Sequence, residues 1–186
     1  MCTSKRRLAR SVLLCGILLT SGTGLLGADD GPLGLGRPAT EAELRAWDID
    51  VAPTGEGLPP GQGTAQEGAR IFSSRCASCH GVTGKEGPAP QLVGGQDTLA
   101  TKHPVKTVGS YWPYATTLYD YIRRAMPFPA PQSLAAEEVY AVTAWILAQN
   151  GIIAQDAVMD AVSLPQVRMP NRNGFTQDPR PDVPAK

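Results

Sequence analysis

The sequence predicts an all-α fold, a small helical domain carrying an extended arm before it and a tail after it. Three observations predict this. Between about residues 64 and 150, apolar residues recur at helical spacing in three separate stretches. The segments joining those stretches are rich in Gly, Pro, Lys and Thr, and none alternates convincingly as a strand. Both flanks are dense in helix breakers: "GPLGLGRP" and "PTGEGLPPGQG" precede the domain, and five prolines fall in the 22 residues from Pro165 onward.

The chain begins with a basic stretch (Lys5, Arg6, Arg7, Arg10), then a mostly apolar run from Ser11 to Leu26, then small residues up to Ala28. That order predicts a secretory signal peptide over 1–28 and a periplasmic mature protein. The apolar run is short and rich in Gly, Ser and Thr, so no membrane insertion is expected after cleavage; an uncleaved anchor is the alternative. Cys15 follows Leu14, a poor small-residue cleavage site, which sets a lipid-anchored reading aside. Cleavage removes four of the 17 basic residues and none of the 17 acidic ones, leaving a formal charge of −4. No basic stripe survives to suggest nucleic acid.

Residues 29–63 then read as a Gly/Pro-rich extended arm. Thr64 caps the first helix, with Glu67 completing a capping box, and Ile71 and Phe72 supply its apolar face beside Gly68. Residues 81–114 read as loops. Thr116 or Thr117 caps a second helix running through Arg124, with Leu118, Tyr121 and Ile122 on one face. Pro127, Pro129 and Pro131 end it in a rigid extended segment, "MPFPAP". Ser133 opens the third helix, Val139, Val142, Trp145 and Ile146 follow its period, and Asn150-Gly151 stops it. The domain therefore spans 64–151, and 152–186 is a C-terminal tail, disordered at its end. A core of fewer than 90 residues is small, so a large buried cofactor would help it fold.

The chemistry is concentrated in "CASCH". Cys76 and Cys79 are the two cysteines left after cleavage, and His80 follows directly. Cys-x-x-Cys-His is the attachment signature of c-type haem. Thiols three positions apart at a helix start can reach the two vinyl groups on one haem edge, and the next histidine falls beneath the iron. A Cys76–Cys79 redox disulfide would need a βαβ setting, which is missing. A zinc site from Cys76, Cys79, His80 and His103 would make awkward partners of adjacent residues. One covalent haem c is the reading adopted.

The second axial ligand sets the function class. Met126, in the proline-held loop between the second and third helices, is the foremost candidate. Met169 and His103 are alternatives, and Met159 reads as tail packing. His/Met ligation raises the potential and leaves no open position for substrate, which favours electron transfer over catalysis. A haem enzyme with an open coordination site is the competing class, and no other catalytic constellation stands out.

With these residues the chain resembles the class I cytochromes c. In that family a Gly and an aromatic of the first helix pack on an aromatic of the last, and Gly68, Phe72 and Trp145 match those positions. The resemblance implies that Pro90 offers its carbonyl to the ligand histidine, with Pro88 as second choice, and that Leu92 packs on the haem. A narrower resemblance runs from about Trp47 to Asp178. "GLPPGQGTAQEGARIF", "KTVGSYWPYATTLYDYIRRAMPF", "EEVYAVTAWILAQNGII" and "VRMPNRNGF" are similar to the cytochrome subunit of Sox-type sulfite or sulfane dehydrogenases. It implies a molybdenum-cofactor dehydrogenase subunit as electron donor and a downstream cytochrome or oxidase as acceptor. Members with this block often carry a second haem domain; the one haem motif here favours a simpler sulfite-type partner. A free electron carrier without a permanent partner is the alternative.

The same block raises Tyr111, Trp112 and Tyr114 as haem-edge or propionate contacts, against ordinary core filling. Lys106, Arg123 and Arg124 read either as partners of propionates or of an acidic partner surface, or as a solvated face. The arm and the tail are expected to wrap the domain or dock on the partner subunit.

Overall fold

The structure is a computed structural model that describes residues 35–178 and Arg180. The signal segment 1–28 and the end of the tail lie outside the described residues. Residues 35–40 are exposed, and everything below concerns the unit that begins at Glu41. Among the described residues no helix is long and apolar enough to cross a membrane.

The elements run α1 (Glu41–Trp47), β1 (Gln62–Thr64), α2 (Ala65–Arg75), α3 (Ala77–His80), α4 (Ala115–Ala125), α5 (Ala136–Gln149) and β2 (Val158–Asp160), with a 3-10 turn at Leu164–Gln166. The fold is mostly helical, as expected. α5 is its axis: every residue from Val139 to Ala148 is buried, so this helix is surrounded rather than laid on a surface.

α2 begins as the sequence predicts. The Thr64 hydroxyl accepts from the Glu67 amide at 3.3 Å, and Glu67 accepts from the Thr64 amide at 2.9 Å. Ala65, Gly68 and Phe72 form its buried face. A Cβ at Gly68 would stand 1.9 Å from the Ala141 carbonyl oxygen, so only glycine permits the observed approach of α2 to α5. One turn on, the Phe72 and Trp145 rings stack with centroids 3.9 Å apart and planes 28° apart.

The other two helix starts differ from expectation. α4 is preceded by Tyr114 without a side-chain cap, because the Thr116 hydroxyl instead donates to the Pro53 carbonyl at 3.2 Å and ties down the arm. α5 starts after Ala135, whose amide donates to Glu138 at 2.8 Å; Ser133 instead accepts from the Arg75 guanidinium at 2.9 Å. On α4, Tyr119 rather than Tyr121 is the fully buried aromatic, its ring 4.4 Å from that of Tyr140, while Tyr121 stays 47% exposed.

The arm and the tail are more ordered than their composition suggests. β1 and β2 pair antiparallel, with Gly63 opposite Met159. Asp120 is buried, accepts from the Val51 amide at 2.9 Å and pairs with Arg124. Arg123 donates to the Ile49 carbonyl at 3.1 Å, and the Tyr140 hydroxyl donates to the Pro59 carbonyl at 2.9 Å. Side chains of α4 and α5 thus hold residues 49–59, and Val51 joins the core. From the tail, Met159, Leu164 and Met169 are buried in the same core.

Candidate functional site

The end of α2 and the one-turn α3 carry the haem motif. The Cys76 amide still donates to Phe72 in the α2 pattern, and the His80 amide donates to the Cys76 carbonyl at 3.0 Å. This break between two helical segments puts both cysteines and the histidine along one wall of a cavity of about 320 Å³. The two thiols are free. Burial pushes the Cys76 thiol up to about 11, so it is neutral at ordinary pH.

The histidine ring is held on its far side. His80 Nδ1 lies 3.0 Å from the Pro90 carbonyl oxygen. A carbonyl can only accept, so Nδ1 carries the proton and the Nε2 lone pair is left free. The loop that brings Pro90 there is folded back tightly on the motif. The Ala89 amide donates to the Cys79 carbonyl at 2.9 Å, and the Leu92 amide donates to the Gly84 carbonyl at 2.8 Å. A Cβ at Gly87 would stand 1.9 Å from the Cys79 carbonyl oxygen, so this return needs glycine. Glu86 accepts from the Thr83 hydroxyl, which holds its carboxyl below the usual range and closes the turn after His80.

The remaining walls are apolar apart from Arg75. Leu92 and Val108 line the side beneath the loop, Leu118 and Ile122 come from α4, and Val142 and Ile146 from α5. Met126, at the C-terminal end of α4, lines the same cavity as His80. Trp112 and Tyr121 also line it and meet edge to face at 5.7 Å. Phe128, two residues after Met126, lines it while remaining 81% exposed. Sequence reading did not single out Phe128, although its place in "MPFPAP" was the available signal.

Of the residues expected at the site, Cys76, Cys79, His80, Pro90, Leu92, Trp112 and Met126 line one cavity. Tyr111 does not. Its ring packs against Phe175 at 5.2 Å with Lys106 5.1 Å from its centroid, and its carbonyl accepts from Asn171 at 2.8 Å. Tyr114 likewise faces Arg172, at 4.4 Å. These two tyrosines hold the tail, and Lys106, Arg123 and Arg124 are engaged within the chain. His103 is exposed, and Met159 and Met169 are packed in the core rather than along the cavity. Among the described residues no group of three or more His, Cys, Asp or Glu could hold a metal ion, which removes the support for a four-residue zinc site.

The donor set fits a covalently held haem. Two free thiols stand next to an imidazole with one free nitrogen, a methionine lines the same space, and the walls are mostly hydrocarbon and aromatic.

The comparisons agree with this chemistry. The family described as cytochrome c matches residues 65–150. The crystal structure of the sulfane dehydrogenase SoxCD from Paracoccus pantotrophus contains a chain 46% identical, with a TM-score of 0.74; the match covers 80% of this chain and 73% of that one. No curated protein matches the chain significantly.

Proposed function

Because the chain belongs to the cytochrome c family, whose members hold haem c covalently and carry electrons, we propose that it is a periplasmic mono-haem electron carrier. In this reading it takes electrons from a molybdenum-containing sulfite or sulfur-compound dehydrogenase subunit and passes them to a downstream cytochrome or oxidase. When bound, haem c supplies a one-electron ferric/ferrous couple. Cys76 and Cys79 would anchor it, and His80 and Met126 would ligate its iron. Pro90 keeps the His80 tautomer that leaves Nε2 free, and the apolar walls exclude water. One electron enters and one leaves; this chain makes and breaks no bond and moves no proton. Oxidation of sulfite to sulfate, with water supplying the oxygen atom, releases two protons and two electrons at the partner, and a single-haem carrier would take up the two electrons one at a time.

The observation that carries the reading is His80, its Pro90 brace and Met126 on the wall of one largely apolar cavity. The partner assignment is supported by the reach of the structural likeness. Eighty per cent of 186 residues is about 149, whereas the cytochrome c family accounts for residues 65–150. The tail after 150 is too short to supply the remainder, so the likeness to a dehydrogenase chain extends into the arm.

The test is made on protein purified without added salt from the periplasm of its host. Molybdenum should co-purify, and sulfite should reduce the haem promptly. A haem protein free of molybdenum that sulfite leaves oxidised would turn the assignment to a free carrier.

A further inference from the structure

We infer that Asn150, at the end of α5, is a positioning residue for the cofactor histidine, acting through the loop that carries Pro90. This rests on the reading of His80 as a haem ligand.

Asn150 terminates α5, and its Nδ2 donates to the Ile146 carbonyl at 2.8 Å. That bond alone would make it a helix stop. The same side chain also grips the loop on two sides of Val93. Oδ1 accepts from the Gly94 amide at 2.9 Å, and Nδ2 donates to the Leu92 carbonyl at 3.3 Å. These contacts span 56 and 58 residues of sequence. Gly109 packs so closely that a Cβ there would stand 2.0 Å from Asn150 Oδ1, which walls the amide in on its other side.

The loop's other anchors run to the motif stretch, to itself or to a neighbouring loop: the Ala89 amide reaches the Cys79 carbonyl at 2.9 Å and Gln91 Nε2 reaches the Val93 carbonyl at 2.6 Å. Leu92 and Val93 amides reach Gly84, the Val108 amide reaches the Leu92 carbonyl at 3.2 Å, and the Thr107 hydroxyl reaches the Gly94 carbonyl. Gly84 and the haem motif belong to one short stretch of chain, and 107–108 to another loop. Asn150 is the anchor that references the Pro90 loop to α5, the buried axis of the fold. One residue, Gln91, separates Pro90 from Leu92, so a shift of the Leu92 carbonyl carries over to where the Pro90 carbonyl meets Nδ1. A firm Nδ1–H bond makes the imidazole a stronger donor and favours ferric iron. Loosening the loop weakens that bond.

The experiment compares the haem-loaded protein with Asn150→Ala, Asn150→Ser and Thr64→Ala. Thr64→Ala removes a helix cap remote from the loop and serves as the stability control. Two quantities are read: the midpoint potential, and exchange of the His80 Nδ1 proton by NMR in the ferrous state. Asn150→Ala should raise the potential and speed the exchange about five- to tenfold, the scale expected for losing a hydrogen-bond anchor. Asn150→Ser keeps a short acceptor near Gly94 and should fall between, which preserves the test if the alanine variant does not fold. Thr64→Ala should lose stability and move neither quantity. Unmoved potential and exchange in both Asn150 variants, with covalent haem present, would overturn the inference alone. Absence of covalent haem from the unmodified protein would overturn the proposed function and this inference together.

Discussion

Met126 is the proposed second ligand, and Gly68 sets how closely two helices pack. Met126 lines the cavity, whereas the other candidates do not: His103 is exposed, and Met159 and Met169 are committed to the core. Met126→Ala should therefore change the visible spectrum and lower the midpoint potential by a sizeable part of the ~0.8 V that axial ligands span. Spectroelectrochemistry checks this, and an unchanged spectrum and potential would mean that Met126 is not the ligand. Gly68 acts through what it lacks. Adding a methyl group 1.9 Å from the Ala141 carbonyl oxygen forces α2 off α5, where Phe72 and Trp145 stack. Gly68→Ala should destabilise the protein by about 1–3 kcal/mol, as overpacking of a tight contact does. Urea unfolding of the haem-loaded protein measures it.

Between elements, what could be read in the sequence follows from how local each signal is. The start of α2 was legible because a capping box is complete within four residues. Thr64→Ala should cost about 1 kcal/mol, measured as a shift in the urea midpoint with unchanged slope. The motif cysteines and His80 were legible for a similar reason, since five residues hold them all, whereas Pro90 rather than Pro88 as the brace came only from the family resemblance. The caps of α4 and α5 were not. Thr116 and Ser133 are good cap residues, but distant chain segments, Pro53 and Arg75, claim their hydroxyls. Tyr111, raised as a haem contact by the resemblance with packing as the alternative, lies off the cavity because its ring meets Phe175 from the tail, a partner that the block around it does not encode. The β1–β2 pair was invisible because three-residue strands are too short to alternate.

For the molecule as a whole, the question is which part of the arm is free to meet a partner. Residues 49–59 are committed: Val51 is in the core, and Asp120, Arg123, Thr116 and Tyr140 hold the backbone around it. Removing them would damage the domain and confuse any binding result. α1 is different. None of its seven residues is buried, and Leu44 and Trp47 stand 49% and 85% exposed one helical turn apart. A helix this short is marginal in water without a surface to cover its apolar side. It also lies in the arm, where the likeness to a dehydrogenase chain extends beyond the cytochrome c domain. A mature protein beginning at Asp48 should thus keep its haem spectrum, potential and unfolding midpoint. Its affinity for the proposed dehydrogenase subunit should fall at least about tenfold, the equivalent of roughly 1.4 kcal/mol. Titration calorimetry against the purified partner, alongside the spectrum, separates the two effects. Equal affinity with and without α1 would place the docking contacts elsewhere on the domain; lost haem would mean that the arm contributes to the core beyond residues 49–59.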